Sequence, residues 1–166
     1  MAIFICIALL GLGFLFYEAP ERGTEPQDAV IPNDKESLFI FVPGEKNDFD
    51  KKAVEVRRTL SERAKADYLF GELRKAKAIP ASAKLQQLAF GEDGMLYLDV
   101  SRAILEQQLD ARGEIRVVYA LTNSFIASFR EVNRVQFLVD GHPVHTLFGV
   151  VYTYAPLPFN NDLQEE

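Results

Sequence analysis

Chemistry in this chain would have to start from two histidines, one cysteine and a nearby aspartate–serine pair. His142 and His145 are spaced H-x-x-H, but they lack the helix and the intervening glutamate that a zinc protease uses. They flank Pro143 just after Asp140-Gly141, a turn-forming pair, so both are expected on a loop. Asp99, Ser101 and His142 supply the residue types of a hydrolytic triad. No nucleophile elbow surrounds Ser101, however, and its position ahead of a helical stretch gives it a capping role instead. Cys6 lies in the apolar N-terminal run, which excludes a disulfide framework and a thiolate metal site. No phosphate loop or dinucleotide fingerprint is present. The residues therefore assign no catalytic, cofactor or metal site, and the chain is not expected to be an enzyme.

Charge narrows the partners. The formal net charge of −6 argues against nucleic acid, because phosphate binding needs a surplus of lysine and arginine. Lys51, Lys52, Arg57, Arg58, Arg63, Lys65, Arg74, Lys75 and Lys77 nevertheless form a local basic bias. Interleaved Glu55, Glu62, Asp67 and Glu72 favour an ordinary solvated face. The other reading is a contact surface for acidic partners or anionic head groups.

The elements that must carry these residues follow from periodicity. The run 37–42 (SLFIFV) is a buried strand closed by Pro43-Gly44, and 44–52 is polar and loop-like. Val54 and Val56 alternate with Glu55 and Arg57, as in a half-buried strand over 53–59. Ser61 can cap a helix to about Lys77, with Ala64, Tyr68, Leu69, Leu73 and Ala76 on one face. Strands over 84–90 and 95–100 flank Gly91-Glu92-Asp93-Gly94, a hairpin signal. Ser101 then heads a short helix to about Ala111, ended by Gly113. Ile115, Val118, Tyr119, Thr122, Phe125, Ile126 and Phe129 repeat at helical spacing and form a core stripe. The runs 134–140 and 146–154 read as strands. The aromatic-rich end that includes the second of these, with Phe148, Tyr152, Tyr154 and Phe159, would offer strand addition if its strand lay at a sheet edge. The order ββαββααββ implies an α+β fold, a mostly antiparallel sheet with helices packed on one face.

Three of these segments carry a resemblance. The run 90–101 (FGEDGMLYLDVS) resembles the strand, D-G turn and V-D-L-S signature of the GerMN domain, the sporulation and spore germination module. The helical ALTNSF at 120–125 resembles that family's A-L-V-N-T-L segment. VQFLVDG at 135–141, followed by Pro143-Val144 and Thr146-Leu147, is similar to its V-Q-I-L-V-D-G-x-x-V-x-T-L stretch. Together they span about Leu38 to Pro156. The resemblance implies an extracytoplasmic, non-catalytic domain in an envelope assembly, with a fold similar to ring-building modules of secretion-type complexes.

The N-terminus bears on export independently. Met1 to Tyr17 carry no charge, and as a helix the run would reach about 26 Å, slightly short of a hydrocarbon core. No basic residue precedes it and no A-x-A pattern follows, so an uncleaved transmembrane signal anchor fits better than a cleaved signal peptide. A start codon assigned a few residues late would account for the missing basic flank. Beyond it, Glu18, Glu21, Glu25 and Asp28 outnumber Arg22, so that side does not look cytoplasmic. Residues 18–36, with Pro20, Pro26 and Pro32, have linker composition. The expected organisation is an anchor over 1–17, the linker, a domain over 37–156 and an acidic, frayed tail over 157–166. The expected role is a scaffold or adaptor at the cytoplasmic membrane. Its expected partners are the membrane, through the N-terminal helix, and an envelope protein or a second copy. A glycan or small-ligand binder would instead need an aromatic-lined groove, and a hydrolase would need His142 gathered with a serine or carboxylate.

Overall fold

Leu38, Ile40, Phe41 and Val42 are all buried, so strand β1 (Lys35–Pro43) presents apolar side chains on both faces. The structure is a computed structural model that describes residues 34–44 and 48–163. The anchor over 1–17 and nearly all of the linker lie outside these residues. Among the described residues, no helix is long and apolar enough to cross a membrane.

β1 pairs antiparallel with β2 (Phe49–Arg57) along its whole length. The second strand therefore starts earlier than the Val54/Val56 alternation implied, with Asp50, Lys51 and Lys52 opposite Val42, Phe41 and Ile40. Lysine fits there because its stem can lie on apolar surface: the Lys51 ammonium sits 4.1 Å above the Phe39 ring. Helix α1 (Glu62–Lys75) begins as expected, with the Ser61 hydroxyl accepting the Ala64 N–H at 3.2 Å. Its buried face runs through Ala66, Leu69, Phe70 and Leu73. The expected stripe was rotated, since Tyr68 and Ala76 are exposed.

β3 (Leu85–Phe90) and β4 (Met95–Val100) form the expected hairpin, with Leu88 opposite Leu98. In its turn Asp93 and Gly94 take φ of 54° and 74°. A Cβ on Gly94 would also come within 2.8 Å of the Glu131 carbonyl oxygen, so both the angle and the space call for glycine.

From here the architecture departs from one mostly antiparallel sheet. β4 pairs parallel with β5 (Arg134–Val139), and a parallel pair needs a crossover, which helix α2 (Ala111–Ser128) supplies. Two sheets result: the β1–β2 pair, and a mixed five-stranded sheet ordered β3-β4-β5-β6. β6 (His142–Pro143) pairs with one end of β5, and β7 (Leu157–Pro158) pairs with the other end of the same strand. The helix expected after Ser101 is only a 3-10 stretch over Arg102–Glu106. α2 starts at Ala111 because Asp110 caps it, its Oδ1 accepting the Gly113 N–H at 2.7 Å. Gly113 thus lies in the first turn of α2 and ends nothing. The run 146–154 is not a strand; it contains only an isolated bridge between Thr146 and Tyr152.

The tail was expected to fray from 157, but residues 157–163 are tied down. Leu157 and Pro158 pair with β5, Phe159 meets Phe41 edge-on at 5.4 Å, and the Leu163 carbonyl accepts the Phe49 N–H at 2.7 Å.

α2 is buried nearly all round between Val117 and Phe125, not along a stripe, because it is enclosed by both sheets and the C-terminal segment. Its buried polar residues find backbone partners. The Ser124 hydroxyl accepts the Phe41 N–H at 2.8 Å. Ser128 accepts the Phe39 N–H at 2.8 Å and donates to the Phe39 carbonyl at 3.1 Å. Four helical residues rise about 6 Å and two strand residues about 6.6 Å, so serines at i and i+4 match alternate groups of an extended strand. The helix thereby closes the edge of β1 that β2 leaves open. Replacing both serines with alanine should cost about 2–4 kcal/mol. An unchanged urea midpoint would show that the hydroxyls contribute nothing.

Candidate interaction surface

Glu114, in the first turn of α2, is fully buried. Its Oε1 accepts the N–H groups of Phe148 at 3.1 Å and Val151 at 2.9 Å, and its Oε2 accepts that of Val150 at 2.7 Å. A buried carboxylate is costly unless hydrogen-bonded, and three amides meet that demand while fixing the loop that carries them. Buried Thr153 secures the returning limb. Its N–H donates to the His145 carbonyl at 2.8 Å, its hydroxyl to the Val144 carbonyl at 3.0 Å, and its own carbonyl accepts from Gln136 Nε2 at 3.0 Å.

The loop so held carries three rings in mutual contact. The His145 centroid lies 4.9 Å from Tyr154 and 6.3 Å from Tyr152, and the two tyrosines are 6.3 Å apart. Tyr152 and Tyr154 are 55% and 50% exposed, and Val150 beside them is exposed as well. Scattered exposed apolar residues carry no meaning, but a cluster of rings on a fixed backbone is what binding hot spots use. Phe148 and Phe159 do not join it: both are half-buried, Phe159 against Phe41. Strand addition is not offered here either, because β6 and β7 already pair along this edge of β5.

The residues singled out for chemistry are employed elsewhere. Asp99 Oδ1 accepts the Gly141 N–H at 2.9 Å, Ser101 Oγ accepts the Lys84 N–H at 3.1 Å, and His142 Nδ1 lies 2.8 Å from the Asp140 carbonyl. Among the described residues no hydrogen bond joins the three into a triad. Ser101 also makes no side-chain cap, contrary to expectation. Asp140 takes a φ of 50° and accepts from Gln86 Nε2 and Arg102 Nε, each at 3.0 Å. The Arg102 guanidinium, with the Gln86 amide, holds its carboxyl below the usual range. These contacts build the Asp140-Gly141 turn. His145 belongs to the ring cluster, and no group of three or more His, Cys, Asp or Glu gathers for a metal among the described residues.

On α1 the basic bias is largely neutralised, as the interleaved acids suggested: Arg63 pairs with Asp67, Lys65 with Glu36 and Glu62, and Lys75 with Glu72. Three grooves flank this helix. One of about 440 Å³ runs past Glu62, Lys65 and Phe129, one of about 550 Å³ past Arg74, Lys77 and Leu109, and one of about 290 Å³ past Asp67, Phe70 and Lys84. The three rings line none of them. Sequence reasoning missed Glu114, whose only signal was an acid in the first turn of an apolar helix.

Comparison with known proteins places this geometry. The family model described as Germane, sporulation and spore germination, matches residues 37–145. The first GerMN domain of the Bacillus subtilis sporulation protein GerM superposes with a TM-score of 0.54 at 14% identity, over 76% of this chain and 98% of that one. The tandem GerMN domains of the same protein give a TM-score of 0.57 at 14% identity, over 74% of this chain and 46% of theirs, so this chain spans less than half of the tandem. At such identities the likeness is one of fold. Among curated proteins, none matches.

Proposed function

Because the chain belongs to the Germane family of sporulation and spore germination domains, we propose that it is a non-catalytic, extracytoplasmic docking module. In this reading the apolar run over 1–17 holds it at the cytoplasmic membrane, and the domain acts as a scaffold or adaptor in an envelope assembly.

The observation that carries the reading is the exposed cluster of His145, Tyr152 and Tyr154 on a loop pinned from inside by Glu114. Rings whose backbone is already ordered lose little further entropy on binding, so they suit protein contact. A glycan would call for exposed rings lining a groove, and His145, Tyr152 and Tyr154 line none of the grooves beside α1. The groove that holds a pair of rings, Phe90 and Phe129, holds them among Glu36, Glu62, Lys65 and Glu131. The family match ends at His145, so Tyr152 and Tyr154 lie beyond it and are suited to distinguish this chain's own partner.

The test is a photo-crosslinking residue at position 152 of the full chain in native membranes. The expected result is a higher-mass adduct with a partner or a second copy, with no adduct from the same probe at Tyr97. Monomer alone from position 152 would overturn the reading. Tyr152→Ala with Tyr154→Ala should abolish crosslinking from a probe at Val150, while each exposed substitution shifts stability by no more than about 0.5 kcal/mol.

A further inference from the structure

Arg74, in the last turn of α1, and Lys77, just beyond its end, stand apart from the other cations of this region. The charges of Arg63, Lys65 and Lys75 are neutralised by carboxylates, whereas neither Arg74 nor Lys77 makes an ion pair among the described residues. Both line the groove of about 550 Å³, which Arg116 also lines, and no described residue lining it is acidic. In a chain of net charge −6, a wall that holds Arg74 and Lys77 and no acid among the described residues is a local reversal of sign. Between the charges the wall is apolar, formed by Ile79, Pro80 and Leu109.

The backbone makes the same point independently. α1 ends in a Schellman turn, with the Lys77 N–H donating to the Arg74 carbonyl at 3.0 Å and that of Ala78 to the Leu73 carbonyl at 2.9 Å. Lys77 takes a φ of 57°, a conformation that favours glycine. A lysine therefore occupies a position where folding alone would be better served by a residue without a side chain, and this lysine lines the groove.

We propose that this groove binds an acidic peptide segment of a partner protein, its carboxylates against Arg74 and Lys77 and an apolar side chain against Ile79, Pro80 and Leu109. Charge complementarity selects the acids, and the apolar wall selects a peptide over a plain anion. A lipid surface fits less well, because head groups meet cations that protrude, not cations lining a recess. The groove shares no residue with the ring cluster, so either site can fail without the other.

The experiment uses the full chain in detergent and a fluorescein-labelled peptide alternating glutamate with leucine, read by anisotropy at low salt. Saturable binding is expected, weakened about tenfold or more by Arg74→Gln with Lys77→Gly, and absent for the matching glutamine–leucine peptide. Lys77→Gly suits the backbone, so its melting temperature should be equal or higher, which separates lost binding from lost folding. Lys51→Gln with Lys52→Gln should leave affinity unchanged. Equal affinity in the Arg74/Lys77 variant, equal binding of the glutamine peptide, or no saturable binding would overturn the proposal. So would Arg74- and Lys77-dependent binding to phosphatidylglycerol vesicles without binding of the peptide.

Discussion

Glu114→Gln is expected to destabilise the domain by about 3–5 kcal/mol, since hydrogen bonds to a buried charged group contribute about 1.5–3 kcal/mol each and do not add fully. The carboxylate accepts from three backbone amides, with both oxygens engaged. Glutamine keeps one acceptor oxygen and turns an NH₂ group toward N–H donors, so at least one amide is left facing a donor. The loop over 144–156 should loosen first. Hydrogen exchange at Phe148, Val150 and Val151 should accelerate, and the urea midpoint should fall. Glu114→Asp should not rescue it, because the shorter side chain withdraws the carboxylate from all three amides. An unchanged midpoint with protected amides would sink this account, and the ring cluster would then owe its fixed position to something else.

Asn123→Leu is the second large effect, at about 2–4 kcal/mol. Asn123 is fully buried, and its amide bonds the backbone of Asn160 twice, donating to the carbonyl at 3.0 Å and accepting from the N–H at 2.9 Å. Leucine keeps the branched shape, though it is bulkier, and it strands both groups of Asn160. The segment over 157–163 should then detach, taking Phe159 off Phe41 and Leu157 off β5. Because the bonds go to backbone, Asn160→Ala should cost under about 1 kcal/mol, losing only the local contact from its Oδ1 to the Asp162 N–H. Equal losses from the two variants, measured by denaturant unfolding, would show that packing and not the amide holds the segment.

Both effects arise from polar residues on α2 that were legible only as members of a helical pattern. The string ALTNSF pointed to a family, and its interrupted apolar character could have signalled buried hydrogen bonds. Nothing in it named the partners, which lie 37 residues away for Asn123 and 83 for Ser124. The run 146–154 failed for a related reason. Its β-branched and aromatic residues suit a pleated surface, yet Glu114 claims the N–H groups at 148, 150 and 151 that a ladder would need. The ring cluster was half legible. Tyr152 and Tyr154 stood out, but which aromatics face solvent depends on how the loop closes.

The sequence by itself determined the features that act within a few residues. These are the Gly91–Gly94 hairpin with its left-handed backbone, the Ser61 cap, the alternation of β4, and the three motifs that mark the family. Each is set by dihedral preference, capping or the period of a single element, with no distant partner required. Only the tertiary structure decided the parallel β4–β5 pairing, the division into two sheets, and the use of α2 as an edge for β1. It alone gave Glu114, Asn123, Ser124 and Ser128 their roles. A buried polar side chain is set by the backbone group that reaches it, and that group comes from whichever segment the fold brings alongside.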